Sequence, residues 1–236
     1  MSASTSLTQQ NVVVLGGTSG LGRAVAQAAT EAGATVTILG RTAGTSANGI
    51  SVDISDPAGL ARAFSRIEQQ AGKIHHLVLT SGARVGSPKL PALSQQELLL
   101  AFNVKVFGYV QAIQAALPSL ADEASITLTS GILARKYGAG GLLKSMVNAS
   151  VEAMGKNLAK ELAPRRVNVI SPGVVDTDLW GEPGSDSRKA TMARVGSGLP
   201  VGRVGQAQEV AQAYLLAMQN GFMSGAVLDI EGGGLL

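Results

Sequence analysis

Val12-Val13-Val14-Leu15-Gly16-Gly17-Thr18-Ser19-Gly20-Leu21-Gly22-Arg23 is the stretch that decides the fold. Its first four residues are apolar and mostly β-branched, the composition of a buried strand. The glycines that follow permit positive φ and close approach of the backbone to a ligand, and a helical pattern opens within them at Leu21 and runs to Ala32. Strand, glycine turn and helix in that order leave backbone N–H groups exposed at a helix N-terminus, where a pyrophosphate can sit. A glycine turn taken alone is also how an ordinary tight bend is written, so its meaning depends on what surrounds it.

Outward from this unit, short β-branched runs alternate with longer stretches whose apolar residues recur every three or four positions. Strands are predicted at Val12–Leu15, Thr35–Leu39, Ile50–Val52, His76–Thr80, Ser125–Thr129, Val167–Ile170 and Ala226–Ile230. Helices are predicted at Leu21–Ala32, Pro57–Ala71, Ser94–Leu120, Gly141–Ala163 and Ala207–Gln219, with Asp56 as cap and Pro57 at the first helical position of the second. The alternation specifies an α/β fold, a Rossmann-type, doubly wound parallel sheet of seven strands with helices on both faces. The 236 residues fit one domain over 11–236, preceded by a polar tail, 1–10, that reads as flexible. Residues 178–205 are rich in Gly, Ser and Pro, lack periodicity and are long for a connection, so they read as a substrate lid or, more plainly, as a surface loop.

Composition narrows the function. Apolar residues at 45% and charged residues at 15% describe a folded globular chain. The net charge of +3 is scattered and aromatics make up only 3%, which argues against a nucleic-acid surface. The absence of cysteine excludes disulfides, thiolate nucleophiles and zinc–cysteine sites. The polar start lacks the order of a secretory signal, and no charge-free apolar run near 20 residues is evident, so a cytoplasmic protein that does not engage membranes is expected.

The spacing Gly16, Gly20, Gly22, within a turn that includes Thr18, Ser19 and Leu21, resembles the glycine motif of the short-chain dehydrogenase/reductase family. Where an acidic residue would hold the ribose 2′-hydroxyl of NAD, the sequence has Gly40-Arg41-Thr42; a guanidinium grips a 2′-phosphate, so NADP(H) is the expected cofactor. The resemblance further implies that Asp53 and Ile54 lie beside the adenine, and that Ser81 and Gly82 line the cofactor as the remnant of an Asn-Asn-Ala-Gly motif read here as Leu79-Thr80-Ser81-Gly82. It also implies that Pro172, Gly173, Val175 and Thr177 hold the nicotinamide carboxamide, that Asn103 supports a proton relay and that Ser130 orients the substrate carbonyl.

The family's chemistry rests on a Tyr-x-x-x-Lys pair on one helical face. Aligned on the stretch from Asn148 to Ala163, the sequence puts Lys144 at the tyrosine position and Asn148 at the lysine position. Fourteen residues separate Ser130 from Lys144, one more than the commonest family interval, which requires a one-residue insertion. Lys144 is a candidate proton donor or simply a solvated helix lysine, and Tyr137, on the loop after Ser130, is the other candidate phenol. His75 and His76 precede a strand, away from this site, and read as structural. The expected activity is NADP(H)-dependent oxidation or reduction of a small carbonyl, alcohol or imine-like substrate by a homo-oligomer, a tetramer or dimer. Because the pair is altered, a cofactor-binding sensor and a non-redox protein on the same scaffold stand beside it.

Overall fold

The computed structural model describes residues 6–46 and 48–236. The strands are β1 (Asn11–Leu15), β2 (Thr35–Gly40), β3 (Gly49–Ser51), β4 (Ile74–Leu79), β5 (Leu120–Thr129), β6 (Arg166–Pro172), β7 (Val175–Asp176), β8 (Gly205–Gln206) and β9 (Val227–Ile230). The helices are α1 (Gly20–Glu31), α2 (Pro57–Ala71), α3 (Gln95–Phe102), α4 (Gly108–Ala116), α5 (Leu142–Glu161), α6 (Asp186–Gly196) and α7 (Ala207–Gln219). Seven strands form one parallel sheet in the order β3-β2-β1-β4-β5-β6-β9, the doubly wound arrangement expected from the alternation of patterns. The chain reverses direction across the sheet between β1 and β4, so a crevice opens at their C-terminal ends.

Both faces of the sheet are covered by apolar side chains from the helices. On one, Phe64 and Ile67 of α2, Tyr109 and Ile113 of α4 and Val151 of α5 pack on Leu77, Ile126 and Val169. On the other, Val25 and Ala29 of α1 and Val210 and Tyr214 of α7 pack on Val12, Val14 and Ile170. Asp56 caps α2 by accepting from Gly59 N at 3.0 Å. The stretch Gln95–Ser119 is long and apolar enough to cross a membrane by length and composition alone, but its Ala101, Tyr109, Ala112, Ile113 and Ala116 are buried in the protein's own core. It is also not one regular helix: α3 and α4 are joined through a π-helical turn, Asn103–Phe107.

Two regions differ from the sequence expectations. Residues 6–10 of the expected tail are built into the domain: Leu7 is fully buried, its N–H donates to Ala32 O at 2.8 Å, and Gln10 bonds the ring of His76. One apolar residue in a polar stretch gives too weak a pattern to announce this docking, and residues 1–5 lie outside the described residues. The segment 178–205 contains α6, on which Arg188 is buried and donates to Asp176 Oδ1 at 2.6 Å and to Gly181 O at 2.9 Å. The two-residue pair β7–β8 ties the two ends of this segment together. His76, at the opposite end of β4 from the crevice, is buried against Ser125 Oγ at 2.7 Å, and burial pulls its pKa down to about 3.

Candidate cofactor and active site

The glycine turn is built by exclusion. Gly16 has a φ of +95°, and a Cβ there would lie 2.7 Å from Thr80 Oγ1 and 2.8 Å from Ser81 N. A Cβ on Gly22 would lie 2.2 Å from Gly16 O, so α1 can begin against the turn only with glycine at that position. Ser19 is the N-cap of α1 but makes no side-chain capping bond, and the first turn carries no acidic residue. Its leading N–H groups are therefore available to an anion. Gly20 faces Thr177 across the crevice, a Cβ there lying 3.5 Å from Thr177 Cβ. Arg23 of α1 pairs with Asp178 at 3.4 Å just beyond. A cradle of bare N–H groups closed by a hydroxyl residue fits a pyrophosphate.

The flanks are placed as follows. Thr18 packs beside Gly40 at the end of β2, and the exposed Arg41 and Thr42 follow it. Asp53 accepts from Ser55 N at 2.9 Å and Ser55 Oγ at 2.6 Å; these bonds, with Arg41 nearby, hold its carboxyl below the usual range. Ile54 is buried and packs against Gly108. At the end of β4, the Ser81 carbonyl is held by the Tyr109 hydroxyl at 2.9 Å, and the space beside Gly82 is open. At the end of β6, Gly173 N donates to Ile230 O at 3.0 Å, and Val175 is buried within β7 ahead of Thr177. The strand ends thus bring Gly16–Gly22, Ser81–Gly82 and Pro172–Thr177 to one side of the sheet.

The corner after β5 is arranged differently from the sequence reading. Ser130 is buried, and its hydroxyl lies 3.1 Å from Asn148 O and 3.1 Å from Glu152 Oε1, turned into α5. Glu152 in turn accepts from Arg135 at 3.2 Å, and Arg135 also pairs with Asp229 of β9. Lys144 and Asn148 do lie one turn apart on α5, yet Lys144 Nζ reaches Ser87 Oγ, 2.8 Å away on the loop after β4. Asn103 is exposed at the start of the π turn. The side chain that reaches this corner from that turn is Lys105: its Nζ donates to Ser130 O and to Asn148 Oδ1, each at 2.9 Å. Burial pulls the Lys105 pKa down to about 8. Tyr137 is 79% exposed. Lys105 is the one charged residue between Glu97 and Asp122, and that is the sequence signal that could have marked it.

A family model described as enoyl-(acyl carrier protein) reductase matches residues 16–234, and the short-chain dehydrogenase/reductase ucsE of Acremonium sp is 31% identical, with 98% of this chain and 97% of that protein covered. The chain belongs to the short-chain dehydrogenase/reductase family. Among solved members, a small-chain dehydrogenase in complex with NADPH superposes with a TM-score of 0.87 at 40% identity, covering 96% of this chain and 98% of that one. The MalC reductase/Diels-Alderase of Malbranchea aurantiaca superposes with a TM-score of 0.88 at 27% identity, covering 100% and 99%. As a short-chain dehydrogenase/reductase the chain is an oxidoreductase by descent, with a nicotinamide cofactor and a small-molecule substrate as the family's common requirements.

Proposed function

We propose that the protein binds NADP(H) and oxidises or reduces a small carbonyl, alcohol or imine-like substrate. The observation that carries this reading is the glycine turn with its bare α1 N-terminus, flanked by Arg41 at the end of β2. An exposed guanidinium there suits a 2′-phosphate and no carboxylate stands beside it at 42 or 40 to repel one. The family member solved with NADPH supports the same cofactor.

A bound nicotinamide supplies the hydride chemistry; the chain's part is to place the substrate and handle the proton. Lys144, on the face of α5 toward the loop after β4, is our proton-donor candidate. A substrate that is already cationic, such as an iminium, would take a hydride with no acid at all, which suits a site with no phenol at position 144. Counting back from Lys144 by the thirteen residues most common in the family reaches Gly131 rather than Ser130, so no insertion is needed and the orienting hydroxyl is missing too. The inward turn of Ser130 supports that register.

The same inward turn favours a second reading, a cofactor-binding protein without dehydrogenase turnover. The relative from Malbranchea is named a Diels-Alderase as well as a reductase, so non-redox chemistry belongs among the readings for this scaffold. A cytoplasmic homo-oligomer completes the proposal. The exposed Leu99, Leu100 and Phe107 around the π turn and Leu142 at the start of α5 offer an apolar face for a second copy.

The test is NADPH oxidation by the purified protein over ketones, aldehydes, diketones and cyclic imines, with a Lys144→Ala variant in parallel. Turnover of carbonyls that collapses in the variant establishes Lys144 as the acid. Turnover of imines that survives it establishes a substrate needing no acid. Tight NADPH binding with no turnover moves the assignment to the second reading.

A further inference from the structure

The end of the sheet opposite the crevice carries a cleft of about 480 Å³, bordered by residues 6–10, the starts of β4, β5 and β6 and the end of α7. Neither the glycine turn nor the corner after β5 contributes to its lining among the described residues. Arg166, the first residue of β6, enters it half-buried. Its Nη1 donates to Ala217 O at 2.8 Å and Met223 O at 3.0 Å, and its Nη2 to Met218 O at 2.8 Å, so the guanidinium closes the C-terminal end of α7. These acceptors are neutral. Among the described residues no carboxylate pairs with Arg166 and no acceptor meets its Nε–H, and burial lowers its pKa.

The positive field reaches the neighbouring wall. Burial and the Arg166 charge both disfavour a charged His76, whose two ring nitrogens are taken by Ser125 Oγ and Gln10 Oε1. With its oxygen spent on His76, Gln10 keeps an NH2 group that makes no hydrogen bond among the described residues. One cleft is thus bordered by two residues with donors to spare, Arg166 and Gln10. Leu7, Ala124 and Met218, all buried, supply an apolar wall. Glu123 is the one carboxylate among the described lining residues; it is exposed and makes no ion pair with Arg166. His75 also borders the cleft, its Nδ1 accepting from Asn11 N at 3.0 Å.

We propose that this cleft is a second ligand site, for a small organic acid: its carboxylate accepts from Arg166 Nε–H and the Gln10 NH2, and its short apolar body lies against Leu7, Ala124 and Met218. A guanidinium without an anion favours a carboxylate, because a charge-assisted bond offsets desolvation that the fold has already imposed. The volume falls in the range of small-molecule sites, and a bare inorganic anion would leave the apolar wall uncovered. The site lies at the far end of β4 from the glycine turn, so it stands whether or not that turn holds NADP(H).

Titration calorimetry with three probes tests this: hexanoate, hexanamide, which keeps the body without the charge, and inorganic phosphate, which keeps a charge without the body. Hexanoate should bind the parent roughly tenfold or more tighter than either of the others, and Arg166→Gln should remove that advantage. Because Arg166 also closes α7, two variants that leave it in place carry the test further. Gln10→Glu sets a carboxylate beside Arg166 in the ligand's place and should weaken hexanoate roughly tenfold. Glu123→Gln removes the repelling charge at the border and should tighten it about two- to fivefold. Hexanoate binding that is absent in the parent, that hexanamide matches, or that neither variant changes overturns the proposal. So does its loss on addition of NADPH, which would place the acid in the crevice instead.

Discussion

Raising the pH through the range 8 to 10.5 should stabilise the protein relative to a Lys105→Met variant. Burial takes the Lys105 ammonium from its ordinary 10.5 down to about 8, and its hydrogen-bond partners among the described residues are neutral oxygens, Ser130 O and Asn148 Oδ1. The folded protein then releases the proton near pH 8 while the unfolded chain keeps it to 10.5. Between those values the unfolded state binds more protons, so the free energy of unfolding rises with pH. At about 1.36 kcal/mol per pH unit the full gap is worth about 3 kcal/mol, most of it gained by pH 10. Below pH 8 both states are protonated and the difference between the two proteins should be flat at its lower value. Methionine keeps the stem and does not titrate, so subtracting its curve removes the contributions of all other groups. Urea unfolding of both proteins at pH 7, 8, 9 and 10, with equal m-values confirmed, measures the difference. A difference constant to within about 0.5 kcal/mol across that range would refute the desolvated ammonium, and a fall with pH would mean that an anion faces Lys105.

Arg41→Glu should weaken NADPH roughly ten- to a hundredfold, the loss of a charge-assisted contact, and leave NADH no weaker; equal weakening of both in a fluorescence titration would place Arg41 away from the phosphate. His76 titrates near 3 in the fold and 6.5 outside it, so its contribution is complete above pH 6.5 and is lost as pH falls toward 3. A His76→Gln variant should accordingly show a shallower loss of stability from pH 6.5 to 4 than the parent, read by denaturant unfolding. Gly155→Ala would put a Cβ 2.3 Å from Val169 Cγ2, in the packed seam between α5 and β6. Overpacking of about 1–3 kcal/mol should exceed the helix-propensity gain of at most about 1 kcal/mol, so Tm should fall by a few degrees, and a rise would show that the seam yields.

The legible parts of the sequence were those with a period or a steric rule behind them. The seven strands and the helices over Pro57–Ala71 and Ala207–Gln219 follow from apolar spacing, because a sheet buried on both faces needs unbroken β-branched runs and its crossovers need a 3.6-residue stripe. Gly16, Gly20 and Gly22 could be read as one tight strand-to-helix turn because a Cβ on Gly22 would lie 2.2 Å from Gly16 O. Strand order then brings the stretches from Arg41 to Thr177 that the sequence singled out to one end of the sheet, where the proposed cofactor site lies. Leu7 and α6 were not, since one apolar residue and a short polar helix carry almost no periodic signal.

Which atoms face one another was decided by the tertiary structure alone. Asn103 and Lys105 stand two positions apart, nearly opposite on a helix, and the π turn between α3 and α4 sets the phase that exposes the first and sends the second to Asn148. Nothing in the residue pattern announces a turn one residue wider than its neighbours. Ser130 and Gly131 are likewise adjacent in the chain, just past the end of β5, and only packing against α5 shows that the Ser130 hydroxyl lies on the Asn148 carbonyl and Glu152 while Gly131 lies against the Asn148 amide. Composition and periodicity determine which elements form and in what order, because burial acts on whole faces; the position of one proton donor depends on a rotation of a single residue, which only contacts between distant segments fix.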